Sequence, residues 1–186
     1  MNNEELKNKL GKQYLIAAYI ENKLQIVNYI KDGYDKNAPV LMNNKFLHFT
    51  AHVYYRSIVI DLYALLGPAN INNKNAFKYI IKARPSELKS ESLKQIADLL
   101  INAASKIQTI KNLRHTQMAH YDFSLKDAIS LNFNDLPIIN ELFLLCQAII
   151  NMFGASYIKD ELTIGYDFGR RHQYLDSLER LISRNQ

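Results

Sequence analysis

The spacing of apolar residues constrains this chain most: over long stretches they recur at intervals of three, four and seven. In residues 3–31, Leu6, Leu10, Tyr14, Ala17, Ala18, Leu24, Val27 and Ile30 keep this rhythm. It gathers them on one face of an α-helix. Folds rich in strands need many Gly- and Pro-marked turns, and the 186 residues hold only 6 Gly and 4 Pro. Long helices, each with one apolar face, are the prediction.

Turn signals divide the rest of the chain. Gly33 stands where a C-terminal helix cap is expected, and residues 33–44, with Asp35, Asn37 and Pro39, read as a loop. A second long helix is predicted over 44–66, with Phe46, Phe49, Val53, Ile58, Leu62 and Leu65 on its period and Gly67-Pro68 as its stop. A short helix follows at 74–82. Pro85-Ser86-Glu87 marks a new start, with Ser86 placed to cap free amides. The run to residue 119 buries Leu93, Ile96, Leu99, Leu100, Ala103, Ile107, Ile110 and Leu113, as one helix or as two broken near Gln108. Asp135-Leu136-Pro137 opens another helix, because Pro is tolerated in a first turn, and it should end near Gly154. Residues 155–166 read equally as helix or as extended chain at Leu162-Thr163-Ile164. A last helix over 169–183 carries Tyr174, Leu175, Leu178, Leu181 and Ile182. No repeat or linker interrupts this series. The expected architecture is one all-α domain over residues 1–186, an antiparallel helical bundle with short extra helices.

Composition narrows the class further. Hydrophobic residues are 48% and charged residues 22%, as in ordinary globular domains. The formal charge of +5 permits a polyanionic partner without demonstrating one. Cys146 is the sole cysteine, so no internal disulfide forms; in an apolar run it reads as a small buried hydrophobe. The first residues, MNNEELKNKL, are too polar for a signal peptide. No apolar run approaches the roughly 20 residues of a membrane span, so the cytoplasm is the expected location, with no membrane contact.

The stretch that bears on chemistry is Asn112-Leu113-Arg114-His115-Thr116-Gln117-Met118-Ala119-His120-Tyr121-Asp122. Metal-free RNA cleavage needs a group that takes the 2′-OH proton, one that protonates the leaving 5′ oxygen, and a fixed cation for the phosphate. Histidine suits proton transfer at neutral pH. Arginine offers a planar fork that stays charged. Arg114 and His120 supply one of each. In a regular helix, six residues turn through about 600° and rise about 9 Å, which sets the two side chains about 120° apart. They meet at one phosphate if the helix breaks near Ala119, or if two chains each contribute one of them.

An arginine followed by a polar residue, with an Ala-His-acid ending six positions on, resembles the mark of the HEPN superfamily. The long helix before it, with Tyr55-Arg56-Ser57-Ile58-Val59-Ile60-Asp61-Leu62, makes the chain most similar to abortive-infection proteins of the AbiU type. That resemblance implies a HEPN-like helical bundle, a homodimer, and a metal-independent endoribonuclease used as a toxin or in phage defence. It makes Arg114 and His120 the catalytic pair and His115 the accessory polar position. RNA is the implied substrate, and an antitoxin or regulatory protein a further partner. No cofactor is implied. The chain departs from the common pattern where His115 stands for Asn, and where Tyr121 lies one residue past the histidine rather than two.

Other residues admit two readings each. Arg56, Lys111 and Tyr121 are further RNA-contact candidates, and Lys106 lies close by; a structural ion pair between Arg56 and Asp61 explains Arg56 equally well. Tyr54, Tyr55 and Tyr63 could stack bases, but aromatics at helical spacing favour core or interface. His48 and His52 are one turn apart and could hold a metal. No third ligand completes a familiar set, so the expectation is no metal and two histidines bordering the core. Arg170, Arg171 and His172 form a basic spot at a helix start. Arg114 and His120 could themselves simply solvate a helix end, where cations favour the dipole. Two other functions remain open: a non-catalytic helical module binding RNA or a partner protein, and a metal-dependent helical enzyme using His48, His52 and His120.

Overall fold

A computed structural model describes residues 2–36, 43–69, 73–83, 90–118, 133–157, 175–177 and 179–180. Among the described residues the principal helices are α1 (Asn3–Asp35), α2 (Lys45–Leu66), α3 (Phe77–Ala83), α4 (Ser90–Asn102), α5 (Ala104–Met118) and α6 (Leu136–Tyr157). No strand occurs among the described residues. The fold is an all-α bundle, as the apolar spacing predicts.

Side-chain caps start the two longest early helices. The Asn2 carboxamide oxygen accepts from the Glu5 amide at 2.8 Å. Asn44 accepts from the amides of Phe46 and Leu47, satisfying donors that a helix start leaves open. All eight residues predicted for the buried face of α1 are buried.

Polar contacts fix how α1 lies on α2. Along α1, Gln13 donates to the Asn75 carbonyl, Lys23 to Ser57 and Asp61, and the Tyr34 hydroxyl bonds the His48 ring. Partners descend in number as α1 ascends, so the two helices are antiparallel. At the far end of α1, Asn28 meets Asn140 near the start of α6, while Phe77, close to Asn75, packs edge-on against Phe153 near the end of α6. Helix α6 is therefore antiparallel to α1 as well. One core links these helices through Ile20, Leu24, Ile58, Leu62, Phe77, Ile139, Cys146 and Phe153.

Four local expectations are corrected. Gly33 is not a cap: it is buried inside α1, which continues to Asp35 and is capped at Lys36. Tyr34 packed on His48 and the Lys31–Asp35 ion pair hold that extra turn, overriding the roughly 1 kcal/mol cost of a helical glycine. Gly154 likewise lies within α6, which runs on to Tyr157. The break in the 90–118 run falls at Ala103, not Gln108; Gln108 sits inside α5 and donates to Asn112 at 2.8 Å. Phe46, Phe49 and Val53 do not face the core. The buried line of α2 is Leu47, Ala51, Tyr55, Ile58, Leu62 and Leu65. The step of five from Val53 to Ile58 turns about 140°, so the predicted set mixed two faces.

By length and composition, α6 over Leu136–Gly154 is apolar enough to cross a membrane, which corrects the expectation that no apolar run approaches that length. Here Leu136, Ile139, Leu142, Phe143, Cys146, Ile149 and Phe153 are buried in the bundle. Ser86, residues 158–174 with the basic spot at Arg170, Arg171 and His172, and most of the predicted last helix lie outside the described residues. Within 169–183, residues 175–177 and 179–180 are helical, and Leu175 is buried.

Candidate functional site

Helix α5 presents two faces. Ile110 is buried in the core, and Arg114, one turn further on, is half-buried on the side toward α2. Its guanidinium lies over the Tyr63 ring, 4.5 Å from the ring centre. A cation over an aromatic face is held by the ring quadrupole, and here the ring is itself packed against the core. Among the described residues no carboxylate forms an ion pair with Arg114. The cation stands near the C-terminal end of α5, where the helix dipole favours positive charge. It has a packed support on one side.

Lys111 and His115 are both exposed. Spaced by four, they share a ridge of α5 that points to solvent, roughly 100° round from Arg114 in the case of His115. Lys106 is tied to Glu141 across the seam with α6, so its ammonium joins two helices. Arg56 lies two turns before Tyr63 on the same side of α2, about 10 Å along the axis. Its expected partner Asp61 is taken by Lys23 at 2.6 Å. The structure thus brings Arg114 to Tyr63 and aligns Lys111 with His115. Arg56 stands two turns off. His120 and Tyr121 lie outside the described residues.

The histidines of α2 border the core, as expected. His48 Nδ1 lies 2.7 Å from the Tyr34 hydroxyl, and burial raises the tyrosine's pKa. His52 is half-buried; desolvation lowers its pKa, and the nearby Arg56 charge adds to the effect. Among the described residues no group of three His, Cys, Asp or Glu is placed to hold a metal ion. Tyr55 is buried, and its pKa is raised by burial and then by the charge of Asp135. Cys146 is buried, and burial raises its thiol pKa too. Sequence reasoning missed the role of Tyr63 as the support of Arg114. The two residues lie on different helices 51 positions apart, and no spacing rule connects them.

The chain matches no family model, no curated protein and no solved structure.

Proposed function

We propose that this protein is a metal-independent endoribonuclease, acting as a toxin or abortive-infection effector of HEPN type. One observation carries the proposal beyond the motif: Arg114 is supported over Tyr63 at 4.5 Å near the end of α5. A cation oriented before substrate arrives is what a phosphate undergoing transesterification needs. In the proposed reaction His120 takes the 2′-OH proton and the 2′ oxygen attacks phosphorus. The bond to the 5′ oxygen breaks, and that oxygen is protonated by His115 or by the recharged His120. The products are a 2′,3′-cyclic phosphate and a 5′-hydroxyl. Arg114 steadies the added phosphate charge, and Lys111, Arg56 and Tyr121 extend the contact to flanking RNA.

The test is cleavage of end-labelled single-stranded and transfer RNA in excess EDTA by wild type, Arg114→Ala and His120→Ala. Cuts by wild type alone, ending in cyclic phosphate, are expected. Salt-sensitive RNA binding without cutting would replace the nuclease with a non-catalytic RNA-binding module. Cutting that persists in His120→Ala would remove that residue from the mechanism.

A further inference from the structure

A line of lysines runs over the end of the bundle that holds Arg114. Lys9 reaches from α1 to α3, and its ammonium lies 5.0 Å from the centre of the Tyr79 ring. Lys23 and Lys106 also reach across to a neighbouring helix, but both end on carboxylates, Asp61 and Glu141. Lys9 is therefore mounted as Arg114 is, a cation steadied on a tyrosine ring with its charge uncancelled. Lys78 and Lys82 lie four residues apart on α3, on the face turned away from buried Phe77 and Ile80, and both are exposed. Lys74, just before α3, is exposed too. Among the described residues no carboxylate forms an ion pair with Lys9, Lys74, Lys78 or Lys82.

These cations are continuous with the Arg114 site. The Tyr63 ring that carries Arg114 lies against Gly67. The Asn73 side chain donates to the Pro68 carbonyl at 3.3 Å and to the Tyr63 carbonyl at 3.5 Å, so the chain comes back to Tyr63 immediately before Lys74. Gln13 then donates to the Asn75 carbonyl, which brings the start of α3 onto α1. Lys23 stands opposite Ser57 and Asp61, so in this antiparallel pair Tyr63 is level with Tyr19 of α1. Lys9 is about 15 Å further along the bundle. Glu4 and Glu5, in the first turn of α1 where they offset the helix dipole, bound the line at its far end.

We infer that this line is a track for a single strand of RNA leading away from Arg114, with Lys74, Lys78, Lys82 and Lys9 each taking a phosphate. It rests on the reading of Arg114 as a phosphate-binding cation and assigns the path of the strand beyond it. Each phosphate neutralised releases counterions and adds affinity. Lys78 and Lys82 stand about 6 Å apart along α3, so their ammonium groups, on flexible stems, meet separate phosphates. The line is one lysine wide and turns from the end of α2 onto α3 and α1. Such a narrow, bent path fits a flexible strand. A folded acidic partner needs a broad matching surface, about 800 Å² from each side.

Fluorescence anisotropy of a labelled single-stranded RNA oligomer tests the track, with the full chain carrying His120→Ala so that nothing is cut. Lys78→Gln combined with Lys82→Gln should weaken binding roughly 25-fold at about 0.1 M salt. It should also lower the slope of log affinity against log salt by about 1.4, since each single-strand phosphate contact contributes about 0.7. Lys9→Gln should lower that slope by about 0.7. Lys36→Gln, exposed beyond the other end of α1, should change neither quantity. Circular dichroism should be the same for every variant. An equal loss from Lys36→Gln would mean diffuse charge attraction and would overturn the inference. So would binding that falls with Arg114→Ala yet is indifferent to Lys78 and Lys82, an outcome that leaves the proposed nuclease standing. Poly-glutamate held more tightly than RNA through the same lysines would assign the line to an acidic protein and overturn it too. Lysine-dependent RNA binding by a wild type that cuts nothing would keep the track and reject the nuclease.

Discussion

If Tyr63 supports Arg114, the two residues must be energetically coupled, and the coupling can be measured without any RNA. The perturbation is a double-mutant cycle of wild type, Tyr63→Leu, Arg114→Met and the double variant. Both substitutions keep apolar bulk, so each removes chiefly one partner of the cation–ring contact. Such contacts contribute about 0.5–1 kcal/mol at exposed sites and about 2 when desolvated. Both residues are half-buried and the guanidinium lies 4.5 Å from the ring centre, so the expected coupling is about 1 kcal/mol. Urea unfolding followed by circular dichroism reads it. With a slope of about 2 kcal/mol per molar urea, that coupling appears as a midpoint shift of roughly 0.5 M beyond what the single variants add up to. Tyr63→Phe keeps the ring and should retain the coupling. Single-variant effects that add within about 0.3 kcal/mol would refute the support role. So would equal loss in Tyr63→Phe, which would point to the hydroxyl.

Further outcomes follow from burial and backbone geometry. His52 has a lowered pKa in the fold, so the folded state binds fewer protons than the unfolded state. Stability should therefore be full above the ordinary value of 6.5 and decline as pH falls below it. His52→Gln should flatten that part of a midpoint-versus-pH plot. Gly154 sits inside α6 with nothing within 4 Å of an added Cβ, so Gly154→Ala should raise stability by about 0.5–1 kcal/mol in urea unfolding. Gly67→Ala should do the opposite, because its Cβ would meet the Tyr63 carbonyl oxygen. A loss of about 1–3 kcal/mol is expected from such crowding.

The helices were legible in the sequence because their signals are local. Spacings of three, four and seven through Leu6, Leu10, Tyr14, Ala17 and Leu24 fix one face, and Asn44 and Gly67 bracket α2. Where local and tertiary forces disagree, the sequence misleads. Gly33 and Gly154 look like helix ends, yet both helices run past them. Helix α2 is apolar on two faces, so periodicity proposes helix correctly and cannot say which face is inside. The candidate site was legible only as a motif. Arg114 and His115 can be picked out by residue type, but their environments depend on packing. Arg114 turns toward Tyr63 on another helix, while His115, its neighbour in sequence, points to solvent. Arg56 and Asp61 looked like natural partners until Lys23, distant in sequence, took the carboxylate.

The seam between α1 and α2 has a consequence for alignment. Two apolar helices can slide past each other by one turn, about 5.4 Å, and still find ridges and grooves that fit. Three polar contacts remove that degeneracy. In a one-turn slip Tyr34 loses His48, Gln13 loses Asn75 beyond the end of α2, and Lys23 keeps at most one of Ser57 and Asp61, which lie one turn apart. A buried polar group left unpaired costs about 1–3 kcal/mol and a part-buried one less, so misaligned pairings are worse although their apolar burial is similar. The apolar residues make the helices adhere, and these few polar pins act as a vernier that selects one alignment from several nearly equal ones.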